Sequence, residues 1–130
     1  MWPTVNRYYR GPRTEFITAS KLKGTQQVKL SWPLGPSLER AALLLLDPVI
    51  ASGDTVLAIC REAERRSIGD RSITVLSCYA SPEAVSRLLN ETADTRIVVA
   101  ALAETVLPSG WLVPPTHGDM GDKLFRSVEQ

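Results

Sequence analysis

Four consecutive leucines, Leu43 to Leu46, run into Asp47-Pro48, then into the small residues Ala51, Ser52 and Gly53, and then into an amphipathic segment. No other feature constrains the fold as strongly. A strand with no polar residue on either side must be covered on both faces, the usual state of a parallel sheet flanked by helices. Beyond the loop, Val56, Ile59, Cys60 and Ala63 recur at i, i+3, i+4 and i+7, which places them on one helical face. The spacing predicts a helix over 54–66, starting at Asp54 or Thr55. Arg65 and Arg66 suit its carbonyl end, and Gly69 marks its stop.

The flanking sequence extends the pattern. Val28, Leu30 and Trp32 alternate with Lys29 and Ser31, the period of a half-buried strand, closed by Pro33, Gly35 and Pro36. A second apolar strand is expected over 73–78. Ser81-Pro82-Glu83 opens a helix, with Ser as cap and Pro at its first position, and Val85, Leu88 and Leu89 give it an inward face. A third apolar strand follows over 97–102. Leu107-Pro108-Ser109-Gly110 reads as a turn, and Trp111-Leu112-Val113 as a short strand stopped by Pro114 and Pro115. The order β, β, α, β, α, β, β describes an α/β domain with a largely parallel sheet and flanking helices. A chain of 130 residues suffices for one such domain and not for two.

Charge divides the chain. Residues 1–29 hold Arg7, Arg10, Arg13, Lys21, Lys23 and Lys29 against the single acid Glu15, while the whole chain carries only +1. With Pro3, Gly11, Pro12 and Gly24 and no apolar period, residues 1–24 read as a basic, loosely ordered arm outside the core, and 25–130 as the domain. The arm is either a solvated leader, which its composition favours, or an attractor of phosphate or of a partner. Near neutrality overall argues against general nucleic-acid binding. The longest apolar run, 41–46, is far short of a membrane span, and arginines interrupt the start where a signal peptide would lie. Cys60 and Cys78 form no disulfide framework or zinc motif and read as small core residues. With His117 alone, mechanisms requiring two histidines are excluded. A cytoplasmic protein is expected.

The loop 47–55 is the chemical candidate. A strand delivers Asp47, and small residues lead into a helix whose first N–H groups, with the Ser52 and Thr55 hydroxyls, could hold a phosphate. Gly53 allows close main-chain approach, and Asp47 is placed to face hydroxyls or hydrated Mg²⁺. The alternative is an ordinary turn in which Ser, Gly and Asp cap the helix. The Asp54 carboxylate repels a dianion unless it points away or meets a metal. No Walker lysine or G-x-G-x-x-G pattern is present.

Asp47-Pro48-Val49-Ile50-Ala51-Ser52-Gly53-Asp54-Thr55 resembles the D-P-M-L-A-T-G-G-[ST] signature of uracil phosphoribosyltransferases. Gly118-Asp119-Met120-Gly121-Asp122-Lys123-Leu124-Phe125 is similar to the family's G-D-x-G-D-[RK]-x-F. Between them, Tyr79-Ala80-Ser81-Pro82-Glu83-Ala84 resembles A-[AS]-P-E-G, and Gln27-Val28-Lys29-Leu30-Ser31 sits where the family has P-V-E-Y-Y. The motifs cover 21–127, the C-terminal part of a family enzyme.

The resemblance implies an N-terminally truncated phosphoribosyltransferase-like fold. It implies that Ala51, Ser52, Gly53, Asp54 and Thr55 hold the 5-phosphate of phosphoribosyl pyrophosphate (PRPP), with Asp47 facing the ribose hydroxyls. Uracil would be read by the main chain of Gly118 and Met120 and by the strand end at Leu112 or Val113, and Asp119 would lie between base and ribose. Asp47 and Asp119 are thus the implied catalytic residues. Mg²⁺ would arrive with PRPP rather than by direct protein ligation. The implied reaction displaces pyrophosphate from ribose C1 with uracil, giving UMP in pyrimidine salvage. Partners would be uracil, PRPP and UMP, with neither nucleic acid nor membrane, and exposed strand edges suggest a homo-oligomer.

Departures accompany the match. Asp54 replaces the family's second loop glycine, and Pro114-Pro115-Thr116-His117 is one residue longer than the usual P-G-L. Arg126-Ser127 stands for G-T. The family's R-A-G strand and R-[DE]-E pyrophosphate loop are not found, and Lys21 and Lys23 read as solvated surface lysines rather than substitutes for them. The alternative function is a non-catalytic or truncated family member that binds uracil or UMP or serves in an assembly.

Overall fold

The computed structural model describes residues 1–9, 13–22, 27–32, 41–68, 72–107 and 112–113. In chain order its elements are α1 (Trp2–Tyr8), β1 (Thr18–Lys21), β2 (Val28–Ser31), β3 (Leu43–Leu46), β4 (Val49–Ile50), α2 (Asp54–Arg65), β5 (Ile73–Ala80), α3 (Pro82–Glu91), β6 (Thr95–Leu102), β7 (Thr105–Val106) and β8 (Leu112–Val113).

β5 is the centre of a parallel sheet. On one edge Leu43 lies opposite Ile73 and Leu46 opposite Leu76, and on the other β6 runs alongside from Thr95 to Leu102. β4 keeps the register of β3, with Val49 opposite Tyr79, so the two are one strand interrupted at Asp47-Pro48. Pro48 has no N–H to donate to the ladder. Its carbonyl instead accepts from the N–H groups of Cys78 and Tyr79, at 3.2 and 3.1 Å.

The strands are laid down in one direction, β3 then β5 then β6. Right-handed crossovers between successive parallel strands then place α2 and α3 on the same face. That face holds Leu45, Ile73 and Val75, packed with Val56, Ile59, Cys60 and Ala63 of α2 and Ala84 and Leu88 of α3. The four leucines are therefore not covered equally on both sides. Leu45 is buried, Leu44 and Leu46 are half-buried, and on the far side Val98 remains 45% exposed. Leu89, expected to face inward, is 54% exposed. Ala84 and Leu88 sit one above the other on α3, and Leu89 lies a further 100° around the helix.

Two described parts of the basic arm carry regular structure, α1 and β1. α1 buries no residue, but β1 pairs antiparallel with β2, Thr18 opposite Ser31 and Lys21 opposite Val28. Ile17 and Leu30 pack on the core, and Trp32 is buried, its indole N–H donating to Glu15 Oε2 at 3.1 Å. The Arg66 guanidinium lies 5.9 Å from the Trp32 ring centroid, within cation–π range. Thr-Ala-Ser-Lys carries almost no apolar signal because an exposed strand is held mainly by backbone hydrogen bonds. Among the described residues, no helix is long and apolar enough to cross a membrane.

Candidate phosphate-loop site

The interruption in the edge strand builds the site. Where Pro48 withdraws its donor, the Asp47 side chain turns back and Oδ1 accepts from the Val49 N–H at 3.3 Å. Burial raises the Asp47 carboxyl above its usual range, opposed by that backbone hydrogen bond. Asp47, Ala51, Ser52, Gly53, Asp54 and Thr55 all line one cleft of about 130 Å³, and Lys21 closes its rim.

Ser81 anchors the loop from beneath. It is fully buried, caps α3 by accepting from the Ala84 N–H at 2.9 Å, and donates its hydroxyl to the Ala51 carbonyl at 2.7 Å. Its own N–H donates to the Ile50 carbonyl at 3.0 Å. Gly53 is the N-cap of α2 with φ +78°. A Cβ there would lie 3.4 Å from Ala84 Cβ and 3.6 Å from Leu88 Cγ. Those are ordinary van der Waals contacts, so it is the left-handed backbone at φ +78° that calls for glycine.

Asp54 does not point away. It is 8% exposed, and Oδ1 accepts from Arg87 Nη1 at 2.6 Å. Oδ2 accepts from Lys21 Nζ at 2.9 Å and from the Ser52 hydroxyl at 2.8 Å. Burial alone would raise this carboxyl, but Arg87, Lys21 and Ser52 outweigh it and bring it down to about 2. Lys21, read from sequence as solvated, is therefore bound to the loop, where Nζ also meets Ser52 Oγ at 3.0 Å. Arg87 was not legible as a site residue. The usable signal was Asp54 itself, since a buried acid demands a counter-charge and Arg87 lies in the helix that packs against the loop.

A larger cleft of about 340 Å³ opens on the other side of Ser52, lined among others by Glu83, Arg87, Thr105 and Val106. Leu112 is buried and pairs with Val106, and Val113 pairs with Thr105, so β8 backs the strand that walls this cleft. Leu112 is not among the residues that line the Asp47 cleft. Gly118, Asp119 and Met120, with His117 and Trp111, lie outside the described residues. Cys60 is buried, and burial pushes its thiol up to about 11, which suits a core residue rather than a nucleophile.

Among the described residues no group of three or more His, Cys, Asp and Glu side chains is placed to hold a metal ion. Both Asp54 oxygens are engaged by cations and a hydroxyl. Of the two cleft carboxylates, Asp47 is the one without an ion pair to Lys21 or Arg87, so it is the one that could face a hydrated cation.

The sequence model of the family described as uracil phosphoribosyltransferase matches residues 1–127. The chain belongs to that family. The match takes in the basic arm, well before the motifs that begin at 21. A uracil phosphoribosyltransferase of Shouchella clausii is 35% identical over 88 residues, 68% of this chain and 41% of the relative. One from Thermus thermophilus is 34% identical over 71% of this chain and 43% of its own length. One from Legionella pneumophila is 29% identical over 90% of this chain and 49% of the relative. The chain thus spans about half the length of the curated relatives it matches. A solved structure of a protein from Aquifex aeolicus superposes with a TM-score of 0.73, at 24% identity, over 87% of this chain and 53% of that one. That likeness shows a shared α/β fold.

Proposed function

We propose that this chain carries the ribose-phosphate and uracil sites of a uracil phosphoribosyltransferase, forming UMP from uracil and PRPP. The observation that carries this reading is the gathering of Asp47, Ser52, Gly53 and Thr55 around one cleft at the α2 N-terminus, in a member of this family. In the reaction the bond from ribose C1 to pyrophosphate breaks and the bond from C1 to uracil N1 forms, with loss of the N1 proton. Asp47, at the strand end, accepts from ribose hydroxyls. The α2 N–H groups and the hydroxyls of Ser52 and Thr55 orient the 5-phosphate, so catalysis is chiefly positioning. Mg²⁺ arriving with PRPP would supply neutralising charge for the leaving group. The main chain of Gly118 and Met120, together with Asp119 and β8, is assigned to the base side by family resemblance. The test is UMP formation from uracil and PRPP with Mg²⁺, and a folded protein giving no turnover at high concentration defeats it.

A second reading is favoured by the Asp54 pairing: a non-catalytic member that binds uracil or UMP. Calorimetric titration with UMP separates the two. Heat of binding without turnover selects the second reading, and turnover selects the first.

A further inference from the structure

Two cations and a hydroxyl close on the Asp54 carboxylate. We propose that the Asp54 carboxylate is a built-in occupant of an anion seat formed by Lys21, Arg87 and Ser52, so that a ligand phosphate enters the loop only by displacing it. This rests on the loop being the ribose-phosphate site proposed above.

Donors from three separate parts of the chain converge on this one carboxylate. Arg87 comes from α3, Lys21 from the end of β1 and Ser52 from the loop, at 2.6, 2.9 and 2.8 Å. The cations have other holds on the loop. Lys21 Nζ meets Ser52 Oγ at 3.0 Å, and Arg87 Nη1 donates to the Ser52 carbonyl at 3.3 Å. They therefore remain at the loop when Asp54 leaves. The seat also opens to solvent on the cation side, since the Lys21 side chain is 52% exposed and that of Arg87 35%, against 8% for Asp54. A solute anion can approach the cations directly.

The charge balance makes the occupancy exclusive. Lys21 and Arg87 supply two positive charges and Asp54 cancels one, while Glu91, 2.9 Å from Arg87 Nε, is itself balanced by Arg61 at 2.7 Å. A phosphate dianion added beside the carboxylate overcharges the seat, whereas exchange leaves it balanced. The class of ligand affected is the phosphate monoester, and an unphosphorylated sugar gains nothing from the exchange. Asp54 thus sets how strongly the loop discriminates for the 5-phosphate.

The test is calorimetric titration of the full chain with ribose 5-phosphate, with ribose as the uncharged control, for the wild type and Asp54→Asn. Asn keeps the shape and removes the charge. Asp54→Ser is a second substitution, and a thermal melt establishes that each variant is folded. The expected result is a gain of about tenfold or more in ribose 5-phosphate affinity, the scale of removing one like charge beside a dianion. Adding Lys21→Ala or Arg87→Ala to Asp54→Asn is expected to abolish most of that gain, with no change for ribose. Equal binding by the wild type and the Asp54 variants overturns the seat and leaves the loop reading intact. A gain that survives loss of both cations also overturns the seat. Folded proteins that all fail to bind ribose 5-phosphate overturn the loop reading, and the seat with it.

Discussion

The Ser81 hydroxyl donates to the Ala51 carbonyl at 2.7 Å while accepting from the Ala84 N–H, so one buried oxygen ties the 51–54 loop to the start of α3. Replacing Ser81 by Ala leaves a carbonyl and an amide without their partner in a dry setting. We expect Ser81→Ala to lower stability by about 1–3 kcal/mol. Chemical denaturation of both proteins checks this, and an unchanged midpoint refutes the anchoring role.

Gly53 is constrained by its backbone. At φ +78° any L-residue is strained, although a Cβ would meet Ala84 only at contact distance. Gly53→Ala is expected to cost about 1–2 kcal/mol from the backbone alone. It should also weaken ribose 5-phosphate binding, because relief of the strain moves the loop. Denaturation and titration on the same variant measure the two effects.

Much of the frame was legible because local pattern and tertiary burial agree. Val56, Ile59, Cys60 and Ala63 are all buried as their spacing predicts, and Ser81 caps α3 as expected. β1 was not legible, since Thr-Ala-Ser-Lys has no apolar period and its order comes from pairing with β2. β4 was hidden by Pro48, whose missing donor suggests a strand end when the register in fact continues. At the site, the loop residues could be read from one contiguous motif. Lys21 and Arg87 lie 33 residues to either side of Asp54, and no local pattern announces an ion pair closed by the fold.

The Asp54 pairing also sets an acid limb. Its carboxyl falls from 3.8 to about 2 on folding, so its stabilising contribution is complete above pH 3.8 and is lost as pH falls toward 2. The Asp54→Asn protein is therefore expected to show a shallower loss of stability between pH 4 and 2 than the wild type. Melting temperatures across that interval test it, and parallel curves count against the pairing.

α2 ends in a Schellman motif built on serine rather than on the predicted glycine. Ile68 N–H donates to the Ala63 carbonyl at 2.8 Å and Ser67 N–H to Glu64 at 2.9 Å, with Ser67 at φ +52°. Glycine adopts that conformation without the Cβ clash, so Ser67→Gly is expected to stabilise the protein by about 0.5–1 kcal/mol. A higher denaturant midpoint with an unchanged slope is the signature.

Asp47 separates function from stability. Burial holds its carboxyl above 3.8, so the folded state retains a proton longer than the unfolded chain does. Its contribution to stability is therefore greatest at low pH and declines as pH rises through the raised value. Asn at this position keeps an oxygen for the Val49 N–H and removes the buried charge. Asp47→Asn is expected to match or exceed the wild type in stability at pH 7, by up to about 1 kcal/mol. If the carboxylate orients the ribose, the same substitution lowers UMP formation by about 10- to 100-fold, the scale of a lost charged hydrogen bond. A variant that is both more stable and fully active removes Asp47 from the site, because a buried charge with no chemical use has then simply been relieved.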